Sequence, residues 1–115
     1  MADRVVFRLR DIIDAVDQID KLLVEKSFAD VFSDRICRAA FERFLEILSE
    51  ASRHVPTELK DSAPEIPWVN IANIGNHLRH AYHRVDFELL WRIYEDGDLV
   101  ELRAATEHFL AKLSD

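Results

Sequence analysis

The chain has 115 residues, of which 49% are hydrophobic, with two glycines, three prolines and a formal net charge of −7. This composition predicts one folded helical domain over residues 1–115 and excludes a disordered chain. The sequence has no apolar run of 18 residues, and its first residues lead directly into an amphipathic pattern. We therefore predict no transmembrane helix, no signal peptide and no membrane association.

The single cysteine, Cys37, excludes an intrachain disulfide. A chain with this cysteine usage is typical of the cytoplasm, where we expect the protein to be located. The neighbouring apolar residues indicate that Cys37 packs in the core and is not a nucleophile.

The first predicted helix covers about residues 4–25, because apolar residues recur there at helical spacing. Ser27 and Asp30 have the spacing of a capping box, which predicts a short helical turn through Phe32. The expected core stripe of the first helix is Val5, Leu9, Ile12, Ile13, Val16, Ile19, Leu22 and Leu23.

A second long helix is predicted to follow and to reach about residue 54. Either Ser33 or Asp34 can cap its N-terminus, since both side chains can accept backbone hydrogen bonds. Its expected core stripe is Cys37, Ala40, Phe41, Phe44, Ile47, Leu48 and Ala51.

All three prolines lie within residues 56–67, which predicts a connection. A domain boundary there is excluded because neither flank could form a core alone. Pro67 suits the first turn of a third helix, which we expect to fray between His80 and Arg84.

Two more helices are predicted at the end of the chain. Asp86 is expected to cap a short fourth helix that Asp96 and Gly97 terminate. Asp98 is expected to cap the last helix, with Glu101 at its third position. Short connections between four to five amphipathic helices predict an all-α, antiparallel up-and-down bundle. The expected stripe of the last helix is Leu99, Leu102, Ala105, Phe109 and Leu113.

Residues 73–84 hold three of the five histidines, two arginines and a tyrosine. No acidic residue occurs from residue 66 to residue 85, although the whole chain is acidic. Such a gap predicts a local positive field. The alternative is that the gap arises by chance.

On a continuous helix, where successive residues turn by about 100°, this stretch has an apolar and a polar side. His80 falls on the polar side, so it is either functional or a solvated surface histidine. Asn76 and His83 can meet His80 on the helix surface, and Arg79 lies at the edge of that side. The expected apolar sector is Ile71, Ile74, Gly75, Leu78 and Tyr82.

His77, His80 and His83 follow one another at intervals of three residues. On one helix they fan across about 120°, so they cannot converge on one tetrahedral zinc ion. The sequence also has no glycine-rich loop that could hold a nucleotide phosphate. We therefore predict neither a metal site nor a cofactor.

Cleavage of a phosphodiester bond in RNA requires a base, a cation and an acid. A histidine that titrates near neutral pH can serve as base or acid. An arginine can hold the phosphate oxygens with its planar fork. His80 together with Arg79 or Arg84 can supply these groups without a metal. Arginine–histidine pairs are nevertheless common on helices.

Several separated segments match one family pattern in order along the chain. Residues 44–51 (FLEILSEA) match its second helix, and residues 66–68 (IPW) match the entry to its third helix. The signature region follows at residues 76–82, 85–86 and Trp91, where His80-Ala81-Tyr82 matches a His-x-Tyr element. Through these segments the chain resembles the HepT-like family of the HEPN superfamily.

The resemblance implies a homodimer in which the motif helices face each other across a cleft. It also implies a metal-independent endoribonuclease toxin. The usual antitoxin in this family is a minimal nucleotidyltransferase, which in some systems adenylylates the motif tyrosine, here Tyr82. Fraying after His80 is expected to make the Tyr82 hydroxyl accessible.

Within such a reaction we expect the polar residues of the motif to have separate roles. His80 is the expected acid/base, and Arg79 is the expected catalytic cation that binds phosphate. The residues expected to contact the RNA substrate are Asn76, His83 and Arg84.

One departure from the family pattern affects the activity. The family arginine most often lies five positions before the histidine, where this chain has Gly75. Arg79, Arg84 or an arginine of a second subunit can replace it. Otherwise the protein is a catalytically inactive interaction module that binds a nucleotidyltransferase or a nucleotide. A purely structural helical dimer is a third reading, which leaves the polar cluster unexplained.

Overall fold

The structure is a computed structural model that describes residues 2–80 and 83–114. Within these residues the chain forms eight helices and no strand. The predicted all-α helical bundle is therefore confirmed. The helices are α1 (Ala2–Leu23), α2 (Phe28–Ser33), α3 (Arg35–Arg53), α4 (Thr57–Asp61), α5 (Trp68–Ala72), α6 (Ile74–Leu78), α7 (Arg84–Glu95) and α8 (Asp98–Ser114).

Helix α1 packs against both α3 and α8, and we call these three helices the frame. Apart from the end of α8, the predicted stripes of these helices are buried or half-buried, and Cys37 is buried in the same apolar core. Leu45, which the predicted stripe of α3 omitted, is completely buried, whereas Leu113 of the predicted α8 stripe is exposed. Each fully buried leucine or isoleucine contributes about 1.5–3 kcal/mol, so the frame is a main source of stability.

The frame also contains one long-range polar contact, between α8 and α1. Arg103 donates hydrogen bonds from Nε to Oδ1 of Asp17 at 2.7 Å and from Nη2 to Oδ2 at 3.2 Å. Arg103 is also paired with Glu107 on its own helix. The hydrogen bond from Arg103 holds the pKa of Asp17 below its usual value.

The predicted caps of α2 and α3 are confirmed. The Asp30 amide donates to Ser27 Oγ at 3.1 Å, and the Ser27 amide donates to Asp30 Oδ2 at 2.9 Å. Asp34, one of the two candidates for α3, accepts hydrogen bonds from the amides of Ile36 and Cys37, both at 3.1 Å. These bonds satisfy amides that have no partner within the helix.

The middle of the chain contains one helix that was not predicted, and one prediction there is wrong. The connection between α3 and α5 contains a short helix, α4, which follows Pro56. The predicted third helix is not continuous, because Asn73 has φ −87° and ψ 1° and separates α5 from α6. The residues between Pro67 and His80 therefore form two short helices and a turn.

The predicted caps of the last two helices also require correction. Helix α7 begins at Arg84 after an extended His83, so Asp86 lies inside its first turn. Helix α8 begins at Asp98, whose position is likewise inside the first turn. Both carboxylates still face the positive end of a helix dipole. Gly97, with φ 88°, makes the predicted turn between the two helices.

Among the described residues, no helix has the length and apolar character needed to cross a membrane.

Candidate functional site

The site segment is residues 73–84, which the structure describes at 73–80 and 83–84; it contains α6 and ends at the first residue of α7. The His80 amide donates to the His77 carbonyl at 3.1 Å, and the His83 amide donates to the His80 carbonyl at 2.9 Å. The Phe87 amide then donates to the His83 carbonyl at 3.1 Å. The three histidines therefore follow one another in successive tight turns.

The described side chains of the site segment divide into a buried and an exposed set. Ile74 is fully buried, while Gly75 and Leu78 are half-buried. The exposed set contains the predicted site residues Asn76, Arg79, His80 and His83. The predicted polar and apolar sides therefore exist, although a continuous helix does not create them. Tyr82, the predicted modification site, lies outside the described residues.

Polar side chains of α3 fix the break between α5 and α6. Ser49 Oγ donates to the Ile71 carbonyl at 2.7 Å and lies 3.3 Å from the Ala72 carbonyl. Arg53 Nη2 donates to the Ala72 carbonyl at 2.8 Å. Carbonyls at a helix C-terminus need such partners. These bonds satisfy the carbonyls at the C-terminus of α5, so the helix can end at Ala72. They also hold the start of the site segment against the frame.

Helix α7 brings carboxylates to a segment that has none of its own. His77 Nδ1 lies 3.7 Å from Asp86 Oδ1, and Arg84 Nε donates to Glu88 Oε1 at 3.2 Å. Asp86 was predicted only as a helix cap, so the sequence analysis missed its pairing with His77. The segment without acidic residues in the sequence therefore has acidic side chains close to it in the folded protein.

The two candidate arginines differ in their surroundings. The Arg84 guanidinium lies 4.9 Å from the ring centre of Phe28 and 5.7 Å from that of Phe32, which are cation–π distances. Arg79 is exposed and forms no ion pair with any residue that the structure describes. Arg79 is therefore the arginine with more freedom to bind a phosphate.

An aromatic cluster anchors the start of α7 behind the site segment. The Phe87 ring centre lies 5.5 Å from that of Phe28, 5.3 Å from that of Phe32 and 5.8 Å from that of Phe41. The sequence analysis did not identify this cluster, although the i, i+4 spacing of Phe28 and Phe32 is a signal for one helix face. The cluster fixes where the site segment ends.

Gly75, at the position of the family arginine, has room for a side chain. A Cβ atom built on Gly75 would have no heavy atom within 4 Å outside its own local backbone. Its backbone φ is not in the left-handed region. Packing therefore does not require glycine at this position.

Within residues 2–80 and 83–114, no three histidine, cysteine, aspartate or glutamate side chains form a set that can hold a metal ion.

Fold and site together define an all-helical protein that presents histidine and arginine side chains on an exposed segment. A family model described as ribonuclease HepT-like matches residues 12–109. The chain belongs to the HepT-like ribonuclease family.

Two known relatives illustrate the similarity. A probable ribonuclease HepT of Thermococcus cleftensis is 36% identical over 99 residues, which are 86% of this chain and 89% of the relative. A putative RNase of Methanocaldococcus jannaschii is 27% identical over 99 residues, 86% of this chain and 90% of the relative. No solved structure matches this chain.

Proposed function

We propose that this protein is a metal-independent endoribonuclease in which His80 is the general acid/base and Arg79 binds the scissile phosphate. The observation that supports this function best is the exposed His80 beside an exposed Arg79 that has no ion pair among the described residues. Membership of the HepT-like family and the ribonuclease names of the relatives support the reaction class.

The reaction uses the substrate's own 2′-OH as the nucleophile. His80 removes its proton, the 2′ oxygen bonds to phosphorus, and the bond from phosphorus to the 5′ oxygen breaks. The protonated imidazole then returns the proton to the 5′ oxygen, so the products are a 2′,3′-cyclic phosphate and a 5′-OH. Arg79 stabilises the charge on the non-bridging oxygens. Asn76 orients His80 or the RNA.

His83 and Arg84 contact the RNA at the end of the site segment. The Arg84 side chain is 64% exposed even though Glu88 and two phenylalanine rings restrain it. A restrained but exposed guanidinium can bind a phosphate of the RNA backbone beside the cleavage position. Its role is therefore substrate binding, while Arg79 acts at the reacting phosphate.

The test is incubation of the purified protein with mixed cellular RNA and with DNA in excess chelator. We expect fragments of RNA with cyclic phosphate ends and intact DNA, because DNA lacks the 2′-OH. His80→Ala, purified in parallel, detects contaminating nuclease, and His108→Ala is the matched control because His108 is an exposed histidine of α8. No cleavage, or equal cleavage by the wild type and His80→Ala, overturns the proposal.

The family resemblance supports three further parts of the proposal. The protein is a homodimer whose two site segments face each other across a cleft. Light scattering measures its mass, and a monomer mass at micromolar concentration overturns this part of the proposal.

The protein is also a toxin whose antitoxin is a minimal nucleotidyltransferase. That enzyme modifies Tyr82, so incubation with it and ATP should add a nucleotide that Tyr82→Phe cannot accept.

Gly75 favours a second candidate function, a catalytically inactive interaction module for the nucleotidyltransferase. The open space at Gly75 provides the discriminating experiment, because Gly75→Arg restores the family arginine at a position where an added Cβ meets no heavy atom within 4 Å outside its own local backbone. An inactive wild type together with an active Gly75→Arg supports the module. Gly75→Ala is the control for the added side chain alone.

A further inference from the structure

A groove of about 310 Å³ opens between α5, α6 and α7, next to the site segment. Three polar residues, Asn70, Asn73 and His77, line it together with two aliphatic residues of α7, Leu89 and Ile93. None of the described residues that line it is acidic, although the chain has a net charge of −7. The groove therefore combines two amides and an imidazole with an aliphatic wall.

Polar side chains of α3 and α7 lie next to residues that line this groove. Ser49 and Arg53 bind the carbonyls at the end of α5 and so fix the backbone next to Asn73. Oδ1 of Asp86 lies 3.7 Å from Nδ1 of His77. The backbone next to Asn73 is therefore held by α3, and the His77 ring lies beside a carboxylate of α7.

These groups match the chemistry of a purine base. An asparagine amide can donate to N7 and accept from the N6 amino group of adenine at the same time. A neutral imidazole nitrogen can accept a further hydrogen bond from an amino group, and an aliphatic wall suits the face of the base. A single unstacked base fits a groove of this volume, whereas paired RNA does not.

We propose that this groove is a base subsite that binds one unstacked adenine of the RNA. The proposal rests on the proposed function for the identity of the polymer, because the groove adjoins His80. The His80 amide donates to the carbonyl of His77, so the groove and the proposed acid/base are one turn apart. The subsite selects which phosphodiester bond lies at His80.

Binding of uncleavable oligonucleotides tests the subsite separately from catalysis. The probes are fluorescent 2′-O-methyl oligomers of adenosine, cytidine and uridine, whose methylated 2′ oxygen cannot attack phosphorus. We expect the adenosine oligomer to bind about 5- to 150-fold more tightly, the range of one good bidentate base contact. Equal binding of the three oligomers overturns the proposal.

Substitutions in the groove test whether the groove is the source of the preference for the adenosine oligomer. Asn73→Ala and Asn70→Ala should reduce the preference for adenosine, and Leu89→Trp should abolish it by filling the groove. Val85→Trp is the matched control, since Val85 is exposed one turn earlier on the same helix and does not line the groove. A preference that survives both Asn73→Ala and Leu89→Trp overturns the assignment.

The outcomes separate this proposal from the proposed function. A protein that prefers the adenosine oligomer but does not cleave RNA retains the subsite and refutes the endoribonuclease. A protein that cleaves RNA and binds the three oligomers equally retains the endoribonuclease and refutes the subsite. If both hold, cleavage positions in mixed RNA should share an adenine at one fixed distance from the broken bond.

Discussion

The frame and the site segment are stabilised in different ways. In the frame, long helices bury apolar stripes against each other, and Leu9, Ile12 and Leu45 are completely inaccessible to solvent. The site segment has short helices and turns, and hydrogen bonds from Ser49 and Arg53 hold its start. The frame therefore depends on packing, and the position of the site segment depends on individual polar contacts.

This difference has a consequence for mutations. A truncated side chain in the frame removes many contacts from one stable unit, so it should change stability without changing the chemistry of the folded protein. A lost polar contact beside the site segment should shift the proposed catalytic groups as well. Each of the following predictions compares these two effects.

The largest effect on stability is expected in the frame. Leu9→Ala should lower the free energy of unfolding by about 2–5 kcal/mol, because it leaves a cavity between packed helices. Phe7→Ala, which truncates a larger side chain that is 62% exposed on the same helix, should change it by at most about 0.5 kcal/mol. Denaturant titration measures both values. Equal values for the two variants contradict the packing account of the frame.

Two buried serines, one turn apart on α3, allow a hydrogen bond between helices to be compared with one within a single helix. Ser49 donates across to α5, whereas Ser52 donates only to the Ser49 carbonyl on its own helix. Ser49→Ala leaves a buried carbonyl without this partner and should cost about 1–3 kcal/mol.

Cleavage by the folded protein should fall in Ser49→Ala and stay unchanged in Ser52→Ala. Ser49→Thr, which keeps the hydroxyl, should recover part of the rate. If Ser52→Ala slows cleavage as much as Ser49→Ala, the hydrogen bonds to α5 do not position the site segment.

The smallest effect is expected at the polar contact within the frame. The pKa of Asp17 is below its usual value in the folded state, because Arg103 donates to it. The contact therefore stabilises the fold above the unfolded pKa of about 3.9, and this contribution is lost as the pH falls through the lower folded value. Asp17 is 39% exposed, so solvent screening limits the contribution to less than about 1 kcal/mol.

Asp17→Asn should accordingly be less stable than the wild type at pH 7, and the difference should shrink below about pH 4. Asp11→Asn, at an exposed position of the same helix, provides the control. Thermal unfolding across this pH range measures the two differences. A difference for Asp17→Asn that grows toward acidic pH would refute the assigned sign.

The long helices could be predicted from the periodicity of the sequence, because the burial of their residues repeats with the helical period. It failed at Asn73, where the helix is interrupted by hydrogen bonds from Ser49 and Arg53, residues about twenty positions earlier. Local sequence contains no signal for such a long-range partner. The exposure of the set around His80 was nevertheless predicted correctly, because Ile74 and Leu78 pack on the core side of the segment.

The electrostatic surroundings of the site segment could not be predicted for a similar reason. The acid-free stretch predicted a positive field, but Asp86 of α7 lies beside His77, and Glu88 pairs with Arg84 one turn away on the same helix. Of the two arginines of the segment, Arg79 is the one that forms no ion pair with a carboxylate among the described residues. The fold class therefore follows from the sequence, while the pairing of the candidate site residues requires the structure.

The rate of RNA cleavage by His80→Ala, measured together with its free energy of unfolding, tests the central claim most directly. The proposal predicts a rate lower by about 10²–10⁴-fold, the usual contribution of a general acid/base. It predicts an unchanged free energy of unfolding within about 0.5 kcal/mol, because His80 is exposed. A folded His80→Ala protein that cleaves RNA at the wild-type rate would contradict the account.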